Sequence, residues 1–283
     1  MQKLHFSITI DAPRSEVYSK MLAKDTYQQW TEEFSHGSTY EGSWDTDAKI
    51  RFVDPSGGGM LSEIAENRPN EFVSIRHYGM VVDGKEDTES DAVKAWAPAY
   101  ENYCFAEKDG GTEVSVDMDA NDEWAEMFSE MWPNALVRLK KLCEGKLPEK
   151  LTVSAIVNVP VEKAWEYRTK PEHITQWAFA QDDWEAPEAE NDLKWGGRFR
   201  TRMRAKDGSA QFDFSGKYTA VQDGKSFTYR MDDGRFADVT FTSVDGGTRV
   251  TESFEPEGSN TLELQQSGWQ AIMDNYKKYA ESR

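Results

Sequence analysis

Ser154-Ala-Ile-Val-Asn-Val-Pro160 repeats, 147 positions later, the pattern of Ser7-Ile-Thr-Ile-Asp-Ala-Pro13. The same offset carries Tyr18 onto Trp165 and Gln29-Trp30 onto Gln176-Trp177. Farther along, Asp109-Gly-Gly-Thr112 meets Asp245-Gly-Gly-Thr248 at an offset of 136. Trp132 then meets Trp269, and Lys140-Lys141 meets Lys277-Lys278, at 137. The matches keep their order, and the offset changes only where loops belong, which is the mark of an internal duplication. A chain of 283 residues holds two domains of ordinary size, each able to bury its own core without disulfide or metal. The join is Glu144-Gly-Lys-Leu-Pro-Glu149, where Gly ends a helix and Pro delays a strand. The domains are therefore expected over residues 1–145 and 150–283.

Each copy reads alike. A strand (about 4–10 and 151–159) ends at a proline, which cannot continue a central ladder. A helix follows over roughly 14–22 and 161–169, then a Trp-bearing turn, a run of alternating strands and a closing helix. In Arg198-Phe-Arg-Thr-Arg-Met-Arg204 arginine takes every second place, while Phe199, Thr201 and Met203 fill the others. Period two means a sheet with one wet and one covered face. Phe212, Phe214, Phe227, Tyr229, Met231, Val239 and Phe241 extend the covered face, and Asp245-Gly-Gly-Thr is a hairpin signal. The closing helices carry apolar stripes, Trp269/Ile272/Met273/Tyr276 and Phe128/Trp132/Leu136/Leu139, and Pro133 is expected to start or kink the first of them.

The formal charge is −18. Residues 1–147 hold 15 Lys+Arg against 28 Asp+Glu, a net −13; the remainder holds 18 against 23, a net −5. So acidic a chain repels phosphate backbones and anionic headgroups, which argues against nucleic acid and membrane surfaces as partners. No window approaches 18 apolar residues, so no membrane-spanning helix is expected. Cys104 and Cys143 need not pair, and the absence of a signal segment points to the cytoplasm. Some of the 10 Trp, 11 Tyr and 14 Phe must be core, but so many Trp exceed what packing usually requires.

The second copy resembles the AHSA1-like (activator of Hsp90 ATPase homologue) branch of the START/Bet v 1-like (SRPBCC) superfamily. The residues that carry the resemblance are Val159-Pro-Val-Glu-Lys-Ala-Trp165, Pro171-Glu-His-Ile-Thr-Gln-Trp177, Asn191-Asp-Leu-Lys-Trp-Gly-Gly-Arg-Phe199 and Asp245-Gly-Gly-Thr-Arg-Val-Thr-Glu-Ser-Phe254. The first copy departs from it at Asp47-Ala48, where Gly196-Gly197 stand in the second, and by an acidic insertion over Asp83–Asp91. The resemblance implies an α+β fold of two tandem helix-grip domains. Each would be a curved antiparallel sheet around a long C-terminal helix, with an apolar cavity between them for a hydrophobic molecule or lipid. It does not imply Hsp90 activation, because neither half looks like the separate N-terminal domain of those co-chaperones.

No metal spacing, nucleophile elbow, phosphate loop or HExxH motif is present, so neither cofactor nor metal is expected. His5, His36, His77 and His173 read as surface or turn residues, and Gly57-Gly58-Gly59 as a hairpin tip. Glu252 shares parity with Val250 and Phe254, which turns a carboxylate to the covered side. There it is either a polar anchor or acid/base, or a solvated residue at the cavity mouth. Its counterpart is Val116, so such chemistry would belong to the second domain alone. Arg76 aligns with Met231 and would put a cation into the first cavity, unless a bulge turns it outward. The expected lining is Trp195, Phe199, Met203, Phe214, Tyr229, Phe241, Glu252, Trp269 and Met273 in the second domain. In the first it is Trp44, Arg76, Phe105, Trp132 and Leu136. The expected function is binding of a hydrophobic or aromatic small molecule. The alternatives are a cyclase, dehydratase or hydrolase using Glu252, and a protein-interaction module of chaperone or stress-response type.

Overall fold

The computed structural model describes residues 1–82 and 84–283; of the acidic insertion, Asp83 lies outside the described residues. The chain divides into two compact units, Met1–Leu147 and Pro148–Arg283. The first unit runs β1 (Gln2–Ile10), α1 (Arg14–Leu22), α2 (Lys24–Trp30), β2 (Thr39–Gly42), β3 (Lys49–Val53), β4 (Gly59–Arg68), β5 (Phe72–Val82), β6 (Lys85–Asp87), α3 (Asp91–Lys94), β7 (Ala99–Lys108), β8 (Gly111–Ala120) and α4 (Asp122–Cys143). The second runs β9 (Leu151–Val157), α5 (Val161–Thr169), α6 (Pro171–Ile174), β10 (Trp184–Asn191), β11 (Arg198–Ala205), β12 (Gln211–Gln222), β13 (Ser226–Met231), β14 (Phe236–Val244), β15 (Gly247–Phe254) and α7 (Leu262–Glu281).

Both sheets are antiparallel and share one order: β2-β3-β4-β5-β7-β8-β1, with β6 beside β5, and β10-β11-β12-β13-β14-β15-β9. Each is a meander whose last strand pairs with the first, and the closing helix packs back against that first strand. The fold is α+β, two curved sheets each gripping a C-terminal helix.

Local chemistry explains the frame. Pro13 and Pro160 sit at helix N-caps in extended conformation, where a missing N–H costs nothing and the carbonyl accepts the first helical bonds. On β11, Phe199, Thr201 and Met203 are buried. The four arginines pair outward with Asp232, Glu190, Asp213 and Glu185 on neighbouring segments. Such exposed pairs add little each, about 0–1 kcal/mol, but they fix which face is wet. Phe212 lies opposite Met203 and so on the covered face, yet it is 51% exposed at the open end of the sheet. Pro133 does not start α4, which runs unbroken from Asp122 to Cys143 with the proline on its exposed side.

The Asp47-Ala48 departure keeps its geometry. Asp47 has φ 66° and Gly196 has φ 74°. Asp47 N–H donates to Ile64 C=O as Gly196 N–H donates to Tyr218 C=O, at 2.8 Å in both. Asp is one of the few side chains that tolerate this left-handed turn.

The ladders also set which residues correspond. Val116 pairs with Tyr103, and Tyr103 with Val73; Glu252 pairs with Val239, and Val239 with Phe227. Across β5 and β13 the offset is therefore 154, so Arg76 corresponds to Arg230, and His77 to Met231. The expected alignment of Arg76 with Met231 is one residue out, and a one-residue slip reverses the face.

Candidate functional site

Each unit has a half-open cavity between sheet and closing helix, of about 290 Å³ in the first and about 270 Å³ in the second. Such volumes suit molecules of one or two rings, since roughly 150 Å³ already takes benzene.

In the second unit the walls are Phe199, Met203, Phe214, Phe227, Trp269 and Ile272, and the polar group is built on three elements. Arg168, on the inward face of α5 beside Ala164 and Trp165, is 8% exposed. Its Nη2 donates to Glu252 Oε2 at 2.5 Å, while Tyr229 O–H donates to Glu252 Oε1 at 2.8 Å. The guanidinium lies over Trp177 at 4.4 Å from the ring centroid. Burial, followed by the Glu252 charge, pushes the Tyr229 phenol well above its ordinary range. Arg168 Nη1 is buried and has no hydrogen-bond partner among the described residues. An unmet donor on an apolar wall is costly and favours any molecule that brings an acceptor. Glu252 is thus not at a solvated edge: it is 3% exposed, and each of its oxygens accepts from a buried donor.

The first unit carries a different cluster. Glu101, on β7, accepts a short hydrogen bond from Tyr103 O–H. His77 Nε2 stands 3.7 Å from Glu101 Oε2, and His77 Nδ1 shares a 2.7 Å hydrogen bond with Ser62 Oγ. His77 is 9% exposed on β5, not a surface or turn residue as expected, because its place on the ladder faces inward. Burial, then the Glu101 charge, raises the phenols of Tyr103 and Tyr27 well above their ordinary range. Ser62, His77 and Glu101 have the residue types of a hydrolytic triad, but Ser62 is 0% exposed, sits behind the imidazole and does not line the cavity. No nucleophile is presented. Buried polar groups are therefore present in both units, at different places on the ladders.

Of the expected lining, Phe199, Met203, Phe214, Tyr229, Glu252 and Trp269 come together on the second cavity, and Trp132 on the first. The rest do not. Trp195 is 50% exposed in the β10–β11 turn, where nothing covers it. Phe241 packs edge-on against Trp165 at 5.1 Å, and Met273 is sealed in the core; α7 lines the cavity with Trp269 and Ile272 instead. In the first unit Phe105 and Leu136 are solid core, Phe105 against the Tyr18 ring. Trp44 packs on Tyr40 and Phe52 outside the cavity. Arg76 turns outward to bond Glu63 at 2.7 Å, as its register with Arg230 requires. Sequence reasoning missed Arg168, whose signal was its place in the buried helical stripe with Ala164 and Trp165. It also missed Glu101, which alternates with Tyr103 and Phe105 as Glu252 does with Val250 and Phe254.

Both closing helices are latched alike. Glu144 accepts from Asp11 N–H at 3.0 Å, and Glu281 from Asn158 N–H at 3.1 Å. Lys140 and Lys146 hold the Glu144 carboxyl down to about 2. Cys104 and Cys143 are free, and burial pushes the Cys143 thiol up to about 12. No helix among the described residues is long and apolar enough to cross a membrane.

Comparison with known proteins agrees with this architecture. The family model described as activator of Hsp90 ATPase homolog 1-like protein matches residues 158–281. A solution structure of an AHSA1-like protein from Aeromonas hydrophila is 44% identical over 47% of this chain and 92% of that one, with a TM-score of 0.45. A protein from Cytophaga hutchinsonii is 47% identical over the same shares, with a TM-score of 0.43. The di-domain ARO/CYC protein BexL, from the BE-7585A biosynthetic pathway, is 13% identical, covers 100% of both chains and has a TM-score of 0.56, a likeness of fold alone. No curated protein matches the chain. On the family match and the 44% identity over nearly the whole of an AHSA1-like relative, the chain belongs to the AHSA1-like family, as a tandem of two helix-grip domains.

Proposed function

We propose that the protein binds apolar, ring-containing small molecules beneath its closing helices, and that the second cavity takes one with an acceptor oxygen. The observation that carries this is Arg168, buried at an otherwise largely apolar wall with one donor nitrogen unmatched by the protein. A phenol, carbonyl or carboxylate on an aromatic body would supply the missing partner, while the rings of Phe199, Phe214 and Trp269 would take the rest. Titration of the whole chain with 2-naphthol and naphthalene, followed by the indole N–H resonances of Trp177 and Trp269, tests it. Naphthol is expected to bind at least ten-fold tighter; no movement of either resonance at millimolar ligand overturns the proposal.

The di-domain ARO/CYC proteins share the tandem arrangement, which keeps an enzymatic reading in view, but fold likeness does not carry chemistry. The geometry speaks against Glu252 as its acid/base, since the carboxylate is locked between Arg168 and Tyr229. Undiminished turnover of any candidate substrate by Glu252→Gln would remove that role altogether.

A further inference from the structure

The first cavity differs from the second in the sign of what lines it. Asp54, Glu101 and Asp119 contribute carboxylates against the one terminal ammonium of Met1, and among the described residues no Lys or Arg side chain lies on the wall. Two of the three are already met. Asp119 pairs with Lys3 and accepts from Tyr100 N–H, while Asp54 accepts from the N–H and hydroxyl of Ser56 in its own turn. Glu101 is hydrogen-bonded as well but has no permanent cation: its side chain is 15% exposed, and among the described residues no Lys, Arg or terminal amine lies within 4.0 Å of it. Its neighbours are the Tyr103 hydroxyl and the His77 ring.

The same cavity is lined by aromatic rings. Trp96 and Trp124 lie 6.4 Å apart, Trp124 meets Phe128 edge-on, and Trp132 is braced by Phe34 and Tyr103. Trp96 is 7% exposed and lines the cavity, and its buried indole N–H has no acceptor among the described residues; an ammonium cannot supply one, so this donor calls for an acceptor atom elsewhere on the ligand. Ring faces attract cations through their quadrupole, and a carboxylate on the same wall fixes where the charge sits. A carboxylate ligand would be repelled by Glu101, and a neutral one would bring it no counter-charge. The net −13 of residues 1–147 further raises the local concentration of cations.

From this geometry we infer that the first cavity is selective for an organic ammonium on an aromatic body, held by Glu101 among the Trp96, Trp124 and Trp132 rings. The inference rests on the proposal that these cavities bind small molecules, and it assigns the two halves ligands of different charge.

The test uses three probes of one shape on the intact chain: 2-phenylethylammonium, 2-phenylethanol and 3-phenylpropanoate. Calorimetry gives the affinities, and the indole N–H resonances of Trp96, Trp124 and Trp132 report the first cavity separately from Trp177 and Trp269. The ammonium is expected to move the first set and to bind at least ten-fold tighter there than the alcohol, with the propanoate weakest. Glu101→Gln, which still accepts from Tyr103, should erase the ten-fold margin and leave the alcohol unaffected. Should that variant not fold, the probe series on the unaltered chain decides alone. Equal or tighter binding of the alcohol or propanoate in the first cavity overturns the ammonium assignment while leaving cavity binding intact. No response of any first-cavity indole to any probe overturns both for this domain.

Discussion

The two cavities are nearly equal in size and built on the same ladders, yet their buried polar groups occupy reciprocal positions. Where the second domain has Arg168, Glu252 and Tyr229, the first has Met21, Val116 and Ile75. Where the first has Ser62, His77, Glu101 and Tyr103, the second has Gly216, Met231, Ala237 and Val239. Neither domain mixes the sets. Ionisable groups at low exposure are tolerable only when the whole bonded group is present, so each cluster has to be kept or lost as a unit. The frame is a packing problem with one solution, and the cluster is a local choice within it.

The largest expected effect comes from breaking one set. Arg168→Met, which copies Met21, strands Glu252 in the core and should destabilise the second domain by about 3–5 kcal/mol. Adding Glu252→Val, which copies Val116, should recover part of that loss, because an apolar pair is often no worse than a buried ion pair, although the buried Tyr229 O–H then loses its acceptor. Denaturant titration with a fluorescence or NMR probe in each domain reads both steps, and the first domain's midpoint should stay where it is. If the double variant is no more stable than the single one, the clusters are not separable units and the reciprocity is coincidence.

A smaller effect separates the latches of the two closing helices. The Glu144 carboxyl is held near 2 by Lys140, Lys146 and Asp11 N–H, against roughly 4.3 for an unfolded glutamate. A depressed folded-state value stabilises the domain above the unfolded pKa, and that contribution fades as pH falls from about 4.3 toward 2. Glu144→Gln should therefore lower the first domain's melting temperature at pH 7 by a few degrees, with the gap closing by pH 2–3. At Glu281 the lysine stands 3.9 Å away rather than the 2.6 Å of Lys140, so Glu281→Gln should cost less at pH 7. Equal, pH-independent losses would mean that the backbone hydrogen bond alone does the latching.

How much of this was legible beforehand follows from what each signal depends on. The duplication, the helix starts at Pro13 and Pro160 and the wet arginine face were readable, because periodicity and proline act locally. The lining was readable where parity and a covering helix coincide, as at Phe199, Met203, Phe214 and Trp269. It failed at Phe241, Met273 and Leu136 because parity separates inside from outside but cannot tell a cavity wall from the packing behind it. Trp195 failed because a turn has no parity. The polar clusters needed partners from distant segments: Arg168 and Glu252 are 84 positions apart, and only the register of β5 against β7 brings His77 to Glu101. The assignment of Arg76 to the cavity shows how fragile that step is, since a single misplaced residue in the alignment exchanged a buried histidine for an outward arginine.

The smallest expected effect probes the frame itself. If the turn at Asp47 and the turn at Gly196 are one structure, the two domains differ there only in what the left-handed conformation costs. Asp47→Gly should then stabilise the first domain, by no more than about 1 kcal/mol, since glycine removes the Cβ penalty but adds freedom to the unfolded chain. Gly196→Asp should cost the second domain a similar amount, because a Cβ at Gly196 meets nothing within 4 Å and only the backbone preference is tested. Gly197 is the contrast: a Cβ there would lie 2.0 Å from Asp192 C=O, whereas Ala48 already carries one at the matching place. Gly197→Ala should accordingly cost more than Gly196→Asp in the same denaturation experiment. The reverse ranking would mean that the second turn can relax into the first's path, and that the two frames are less alike than their hydrogen bonds indicate.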